Sequence, residues 1–314
     1  MQTAFQPLHQ LHYFNNNQQQ WVSPAQIDCH VHTDKYEVRL AQTADEVAAS
    51  IALRQSVFFD HIEEALRPGW EPRDEVAHHL IVLENNQVIG TVRLLNSQYV
   101  STNELFYSAQ YYQLGPLLMK SQCAVELSRF CISPKARNGQ VLLLLWRAGL
   151  KYLKAVNADL MFGSCSFAGQ DAQAHAPVLQ YLAEQRLAPQ SLALTPTQSH
   201  ALPLSALQST QPFSKDEIPM LLRAYLKLGA RVSDHYYIDP VFNSTFVMIY
   251  VEGMQLNQPT KSPLQERAFC EYGVPTGIRT PVTAVKGRCP RPLDDGDNLV
   301  ELSGIEPLTS TMPL

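Results

Sequence analysis

The chain has 314 residues, of which 45% are hydrophobic, and its net charge is −5. Such a chain can bury one generous core, in one large domain or in two small ones. The negative balance argues against general nucleic-acid binding. The six cysteines are irregularly spaced and none lies in a Cys-x-x-Cys pair. This usage fits reduced thiols in a cytosolic protein better than a disulfide framework.

The amino-terminal region predicts neither export nor a membrane span. It lacks the basic and apolar segments of a signal peptide, and no stretch of the chain is apolar over the length that crosses a bilayer. We therefore expect a cytoplasmic protein. Residues 1–35 are rich in Gln, Asn and His, so we interpret them as a mobile polar leader. The run Cys29-His30-Val31-His32 has no second ligand cluster at a zinc-like spacing, and we predict no metal site.

The first predicted elements are a strand over Tyr36 to Leu40 and a helix that begins near Thr43. Thr43 and the two acidic residues shortly after it supply the polar groups of a helix start. Within this helix the segment LRQSVFFDHIEEA places Leu53, Val57 and Phe58 on the predicted buried side.

A hairpin is predicted next. The apolar runs HHLIVLE and QVIGTVRLL are joined by Asn85-Asn86, and asparagine tolerates the positive φ of a tight hairpin turn. The segment FYSAQYYQLGPLL, further along the chain, is polar and aromatic without a clear period, and we expect it to pack across a cleft.

The stretch from Cys123 to Leu153 is the centre of the predicted fold. The run AVELSRF alternates like a strand, a basic turn extends from Lys135 to Gly139, and an apolar helix begins there. A period of two puts Glu126 and Arg129 on opposite faces unless the strand bulges or splays. The N–H groups of the turn, with Arg137 and the positive end of the helix, suit a phosphate. Many α/β proteins, however, join a strand to a helix through Asn-Gly without any such role.

A further strand is predicted over Ala158 to Phe167. Its small residues Gly163, Ser164 and Ser166 either admit a ligand close to the backbone or ease packing beneath a neighbouring helix.

Beyond a long polar loop, Ser214 offers an N-cap to a predicted helix, KDEIPMLLRAYLKLG, which Gly229 ends. Two closing strands, over 231–238 and 245–251, are connected by the segment Asp239 to Asn243. This connection either lines a cleft or makes a simple turn, and we favour the turn.

The last segment, 257–314, differs in composition from the rest. It holds eight of the 21 prolines and little apolar periodicity, so we expect a disordered tail. Its sequences GIRTP and SGIEPL look like translations of the antisense strand of transfer-RNA genes. We therefore interpret 257–314 as spurious read-through.

Three segments carry a family resemblance: ELSRF with LLLLWRAGLKYL, then GSCSFAGQDAQAHAPVLQYL, then LGARVSDHYYIDPVFNSTFVMIYV. They resemble the GCN5-related N-acyltransferases, and among these the L-ornithine Nα-acyltransferases, a sister family of the autoinducer synthases. The similarity runs from about Tyr36 to Glu252, so we expect an acyltransferase domain over 36–256. The resemblance implies an α/β (α+β) fold with a mostly antiparallel central sheet flanked by helices.

The resemblance also implies the reaction and the partners. A 3-hydroxyacyl chain would pass from acyl-carrier protein to the α-amino group of L-ornithine, giving lyso-ornithine lipid. No bound cofactor is implied, since the phosphopantetheine thioester of acyl-carrier protein is the substrate. The amphipathic product makes peripheral contact with the inner membrane plausible, although no amphipathic basic helix stands out to carry it.

The family places catalysis on the central strand. The ammonium group of the acceptor must lose a proton before it attacks a thioester, and we expect the Glu126 carboxylate to accept it through water. Arg129 would hold this base or the substrate carboxylate. N–H groups of a splayed strand would stabilise the oxyanion. Without the family, Glu126 reads equally as a strand carboxylate paired with an arginine.

The resemblance assigns two groups of residues to the acyl donor. Arg54 and Phe58 match the donor site of both sister families; the alternatives are that Arg54 caps a surface and Phe58 is core. Arg137, Asn138 and Gly139 would hold the phosphopantetheine phosphate. This turn departs from the coenzyme A type, and a single phosphate needs fewer loop N–H groups than a pyrophosphate, which agrees with a carrier-protein donor.

Asp74, His79 and Arg93 match the rim of the active site, where the acceptor binds. The family usually has an acidic residue immediately before the histidine, whereas this chain has His78. We expect that change to remove a negative charge from the place where a cationic acceptor docks. Two other functions stay open: an autoinducer synthase, which the segment VFNSTFVMIYV disfavours, and a non-catalytic module that binds lipid or carrier protein.

Overall fold

A computed structural model describes residues 23–60, 62–63, 67–137, 139–190, 193–197 and 201–253. The predicted tail and residues 1–22 of the predicted leader lie outside these ranges. The rest of that leader is part of the fold, since Ile27 and Cys29 are buried and Val31–His32 pairs with the next strand. Two of the few apolar side chains of residues 23–35 thus point into the core, within the segment for which the sequence predicted a mobile polar leader.

One mixed sheet dominates the described residues. Its strands are β1 (Val31–His32), β2 (Glu37–Leu40), β3 (His78–Glu84), β4 (Gln87–Asn96), β5 (Ala124–Ile132), β6 (Leu160–Ala168), β7 (Leu202–Pro203), β8 (Arg231–Asp239) and β9 (Ser244–Glu252). The helices are α1 (Ala44–Phe58), α2 (Gly115–Leu118), α3 (Gly139–Ala155), α4 (Ala176–Gln185) and α5 (Met220–Lys227). The strand order is β1-β2-β3-β4-β5-β6-β9-β8-β7. The pair β5 and β6 is parallel and the other pairs are antiparallel, which confirms the predicted sheet.

Alternation along β3 shows which helix covers each face of the sheet. Leu80 and Val82 belong to the core beneath α3. Ile81 and Leu83 pack with Val47 of α1 on the other face. Because successive side chains of a strand point to opposite faces, the polar residues of β3 and β4 are divided between these two helices as well.

The hairpin of β3 and β4 turns at the two predicted asparagines. Asn85 and Asn86 have φ values of 50° and 63°, the left-handed conformation that asparagine tolerates. The predicted start of α1 is also confirmed, since the Thr43 hydroxyl accepts a hydrogen bond from the Glu46 N–H at 3.2 Å.

The buried side of α1 differs from the prediction. Its buried side chains are Val47, Ser50, Ile51 and Arg54. Leu53, Val57 and Phe58 are only half-buried. The apolar pattern was misleading because this helix turns a polar stripe inward, and Arg54 and Ser50 meet polar partners there.

The predicted helix after Ser214 begins later than expected. Ser214 caps a 3₁₀ turn over Lys215–Glu217, and α5 starts only at Met220. Pro219 is responsible, because proline lacks an N–H donor and disfavours helical backbone at the residue before it.

Strands β5 and β6 diverge, and this opens the middle of the sheet. Their parallel ladder covers only Ala124–Glu126 against Leu160–Phe162, although both strands continue. Gly163 lies where the ladder ends, and a Cβ atom there would come within 2.3 Å of the Leu127 carbonyl oxygen. The neighbour that requires glycine here is thus the backbone of β5, whereas the sequence interpretations named a ligand or a neighbouring helix.

Candidate active site

A bulge in β5 brings Glu126 and Arg129 to one side of the sheet. The register with β4 shifts between Thr91 and Arg93, and Arg129 has a φ of 56°. A bulge adds one residue to a strand and so reverses the faces to which the later side chains of that strand point. Arg129 therefore points toward the face of Glu126, and Phe130 packs against the α3 core with Leu127.

The Glu126 carboxylate is fully buried against the turn before α2. It accepts hydrogen bonds from the backbone N–H groups of Tyr107 at 2.8 Å and Ser108 at 2.7 Å. The nearby Ser108 Oγ is buried and has no hydrogen-bond partner among the described residues. No arginine pairs with Glu126 within those residues, so the ion-paired interpretation is not what the structure shows.

A chain of buried charges runs beside this strand. Arg54 donates to both carboxylate oxygens of Asp74, at 2.9 and 2.8 Å. Arg93 bridges Asp74 at 3.1 Å and Glu71 at 2.5 Å, and its Nε donates to Ser128. Arg129 pairs with the other oxygen of Glu71. The Arg73 Nε also lies 3.6 Å from Glu71, so four arginines share two carboxylates.

The arginines keep both carboxylates ionised. Burial alone would raise the pKa of Asp74, but the hydrogen bonds from Arg54 and the charge of Arg93 hold it far below its usual range. Burial likewise opposes ionisation of Glu71, and the charges of Arg129 and Arg93 still lower its pKa. The network is therefore charged at neutral pH.

His79 lies at the edge of this network and is neutral at pH 7. Burial lowers its pKa from 6.5 to about 4, against the attraction of Asp74. One ring nitrogen lies 3.1 Å from the Asp74 carbonyl oxygen and the other lies 3.4 Å from the Ser50 hydroxyl.

His78 points to the opposite face of the sheet. Its Nδ1 lies 2.9 Å from the Tyr152 hydroxyl of α3, and its ring also contacts Tyr99. Because adjacent residues of a strand face opposite ways, His78 does not lie beside Asp74 and His79, the residues predicted to form the acceptor site.

The partly exposed side of the network is aromatic. The Arg129 guanidinium lies 4.6 Å from the ring centroid of Tyr107 and 4.8 Å from that of Phe242. Phe242 also contacts Phe58, with ring centroids 5.7 Å apart. Arg129, with its unusual backbone conformation, is thus held between two rings and a carboxylate, in the kind of arrangement found at functional sites.

Arg54 and Phe58, which were both predicted at the donor site, lie in different surroundings. Arg54 is buried in its ion pair with Asp74, away from solvent. Phe58 is half-buried in the aromatic cluster beside Arg129.

The turn predicted to hold a phosphate precedes α3. Gly139 begins this 17-residue helix, and the Arg137 Nε donates to the Ile132 carbonyl at 3.4 Å. Asn138 lies outside the described residues. A helix of this length directs a positive dipole end and free N–H groups toward the turn, as an anion requires.

Sequence analysis missed Glu71, Tyr107 and Ser108. Glu71 had a usable signal, because Glu71-Pro72-Arg73-Asp74 spaces two carboxylates by three residues, as in one helical turn. In the structure this segment is a 3₁₀ turn whose Asp74 carboxylate accepts from the Glu71 N–H at 2.9 Å. The N–H groups of Tyr107 and Ser108 carry no signal in the sequence.

The described residues offer neither a metal cluster nor a membrane-spanning helix. Among them no three His, Cys, Asp or Glu side chains lie close enough to share a metal ion. None of the helices in the described ranges has the length and apolar character to cross a membrane.

Known proteins resemble this chain over most of its length. A family model described as an acetyltransferase (GNAT) domain matches residues 53–147. The chain is 31% identical over 238 residues to the L-ornithine N(alpha)-acyltransferase of Rhodobacter capsulatus, a match that covers 71% of this chain and 92% of that protein. It is 30% identical over 235 residues to the protein of the same name from Agrobacterium fabrum, a match that covers 68% of this chain and 79% of that one. The predicted GNAT fold and the predicted N-acyltransferase class are confirmed by these matches.

The solved structures to which this chain is similar include FeeM, an N-acyl amino acid synthase from uncultured soil microbes. It is 10% identical, with a TM-score of 0.37, over 75% of this chain and 99% of that one. The AHL synthase LasI is 15% identical, with a TM-score of 0.38, over 71% of this chain and 90% of that one.

Proposed function

The chain belongs to the family of L-ornithine N(alpha)-acyltransferases, and from that premise we propose that it transfers a 3-hydroxyacyl chain from acyl-carrier protein to the α-amino group of L-ornithine. The product is then lyso-ornithine lipid. The observation that carries the proposal is the unit formed by β5 and α3. There a bulged strand with Glu126 and Arg129 leads, through a basic turn, into the start of a long helix.

The donor occupies the α3 end of this unit in our proposal. Arg137, Asn138 and Gly139 bind the phosphate of the phosphopantetheine arm, because a helix N-terminus with an adjacent guanidinium favours an anion. Phe58 borders the arm. Arg54, which is buried, acts through Asp74 rather than by touching the donor.

The acyl chain of the donor needs an apolar surface. A small cavity between β5 and α3 is lined only by apolar side chains, among them Leu127, Phe130 and Trp146. Leu127 and Phe130 are close to Glu126 and Arg129 along β5 but face α3, so this cavity lies on the other face of the sheet from the Glu126 carboxylate. We propose that the chain enters here.

The acceptor occupies the aromatic side. Asp74, His79 and Arg93 are buried and already bonded to protein groups. We propose that they serve the acceptor by fixing Glu71 and Arg129, which are partly exposed. A network with excess positive charge also attracts the α-carboxylate of an amino acid.

The proposed chemistry is acyl transfer through a tetrahedral intermediate. Glu126 takes a proton from the α-ammonium group through water, and the amine forms a bond to the thioester carbon. N–H groups of β5, beyond the ladder with β6, donate to the oxyanion. As the C–S bond then breaks, the nitrogen of the tetrahedral intermediate gives its extra proton through this water to the leaving thiolate, and Glu126 releases the first proton to solvent.

Membrane contact is part of the proposal. Trp70 is 45% exposed and Val241 is 50% exposed. Trp70 precedes Glu71 and Val241 precedes Phe242, and both of these neighbours contact Arg129. We propose that this apolar rim touches the membrane surface into which the amphipathic product leaves.

A thiol-release assay tests the reaction. The full chain is mixed with 3-hydroxyacyl carrier protein and with ornithine, lysine or S-adenosylmethionine. We expect release with ornithine, and a decrease of roughly 10²- to 10⁴-fold in Glu126→Gln, the range for loss of a general base. Release only with S-adenosylmethionine would favour an autoinducer synthase, and no release with any acceptor would favour a binding module.

Two controls accompany the variant. Glu104→Gln makes the same chemical change at an exposed carboxylate of the neighbouring segment and should leave the rate unchanged. The glutamine amide also cannot accept from both Tyr107 and Ser108, so the unfolding midpoint is measured in parallel. A folded Glu126→Gln protein with the original rate would contradict the assignment of the base.

A further inference from the structure

Asp239 lies on the aromatic side of Arg129, at the end of β8. Its Oδ1 accepts hydrogen bonds from the N–H groups of Val241 at 2.9 Å and Phe242 at 3.0 Å. These two bonds fix the turn between β8 and β9, as the sequence predicted. An asparagine would fix the turn equally well, because its side-chain oxygen offers the same acceptor.

The turn therefore does not require the negative charge of Asp239. The residue is only 6% exposed, and within the described part of the chain it forms no ion pair. Glu71 and Asp74, by contrast, are paired with four arginines. A carboxylate held away from water without a cation is unfavourable, and such a local conflict is expected where a ligand supplies the missing charge.

Contacts connect Asp239 to the active site. Its Oδ2 accepts a hydrogen bond from the Tyr111 hydroxyl at 3.4 Å, and that hydroxyl lies 3.2 Å from the hydroxyl of Tyr107. The ring of Tyr107 and that of Phe242 both face the Arg129 guanidinium. Asp239 thus reaches Phe242 through its backbone N–H and Tyr107 through the Tyr111 hydroxyl, whereas Arg129 contacts the rings of both residues.

This pairing matches the charges of a diamino acid. The proposed acceptor has an α-carboxylate, an α-amino group that reacts and a second ammonium group at the end of its side chain. The second group must stay charged and distant from the thioester if only the α-nitrogen is to be acylated.

We propose that Asp239 binds the side-chain ammonium of the acceptor and thereby selects diamino acids, with Tyr111 orienting its Oδ2. This inference rests on the proposed function and names the residue that sets its specificity. The aromatic rings of Tyr107 and Phe242 flank the methylene chain between the two charged ends.

The test compares ornithine with norvaline, which has the same carbon chain but no side-chain amine. In the full chain, Asp239→Asn keeps the acceptor for the turn and removes the charge. We expect its KM for ornithine to rise by about 30-fold or more, as for one lost partner of a buried ion pair. The kcat/KM for norvaline should stay within about threefold of wild type, so the preference for ornithine collapses.

Two further variants exclude a merely structural effect. Asp234→Asn makes the same change on β8 at a half-exposed carboxylate, whose side chain is 51% exposed, and should leave the preference intact. Asp239→Glu lengthens the side chain by one methylene, so it should shift the preference toward 2,4-diaminobutyrate, which is shorter than ornithine by one methylene.

The outcomes separate this inference from the function beneath it. If the wild type acylates ornithine and Asp239→Asn keeps the original KM and preference, the proposed role of Asp239 is overturned and the proposed function stands. Wild type that releases no thiol with ornithine would overturn both.

Discussion

At the scale of single residues, His79 makes stability depend on pH. Its pKa is lowered by burial from 6.5 to about 4, so the folded protein binds the proton less readily than the unfolded chain. The free energy of unfolding should therefore be highest above pH 6.5 and should fall as the pH drops to about 4. The size of this decrease is roughly 3 kcal/mol.

Denaturant unfolding at several pH values from 7.5 to 4 measures this slope. His79→Gln should flatten it. Asp74 acts at lower pH. Because its pKa is lowered in the folded protein, the stability that it contributes is lost mainly below the ordinary pKa of an aspartate. An unchanged slope in His79→Gln would show that His79 is not the group responsible.

The same residues show how far the sequence alone could reach. Family resemblance identified Arg54, Asp74 and Arg93, which the fold does bring together. It could not reveal that all three are buried, because burial depends on packing of α1 against β4 and β5. Asp239 and Tyr111 illustrate the other limit, since their contact joins residues 128 positions apart.

At the scale of elements, the bulge in β5 was the feature that periodicity could not decide. Alternation correctly predicted a strand, and it correctly made the shared side of Glu126 and Arg129 conditional on a bulge. Whether a bulge forms depends on the register with β4, which one strand does not encode. Hairpin turns and helix caps, by contrast, were predictable from short segments because their hydrogen bonds are local.

Gly163 offers a test of the close approach of β6 to β5 at Leu127. In Gly163→Ala the new Cβ would meet the Leu127 carbonyl oxygen at 2.3 Å, a backbone atom that cannot move without shifting β5. We expect a loss of about 1–3 kcal/mol in the free energy of unfolding, typical of overpacking. Thermal or denaturant unfolding measures it.

Gly149→Ala is the matched control for that variant. Gly149 lies inside α3, where an added Cβ has no atom within 4 Å. Replacing glycine by alanine in an unstrained helix should stabilise the protein by about 0.5–1 kcal/mol. Equal effects of the two substitutions would contradict the close approach of β5 and β6.

At the scale of the whole molecule, the amino-terminal boundary of the folded domain can be measured. We compare a chain that begins at Ser23 with one that begins at Tyr36. The shorter chain loses β1 and the buried side chains of Ile27 and Cys29, which should cost about 2–4 kcal/mol. Identical unfolding midpoints would restore the predicted boundary at residue 36.

The apolar rim of Trp70 and Val241 leads to a prediction about membranes. The net charge of −5 cannot favour an anionic bilayer, so binding must come from apolar insertion and should change little with salt. We expect the full chain to sediment with vesicles of phosphatidylcholine and phosphatidylglycerol. The double variant Trp70→Ser/Val241→Ser should bind at least about tenfold more weakly, since each side chain buries apolar area in the bilayer.

Met119→Ser is the control, because Met119 is 88% exposed but lies outside the rim. Equal weakening by Met119→Ser would mean that the rim has no special role, and no binding by the wild-type chain would place product release in solution instead.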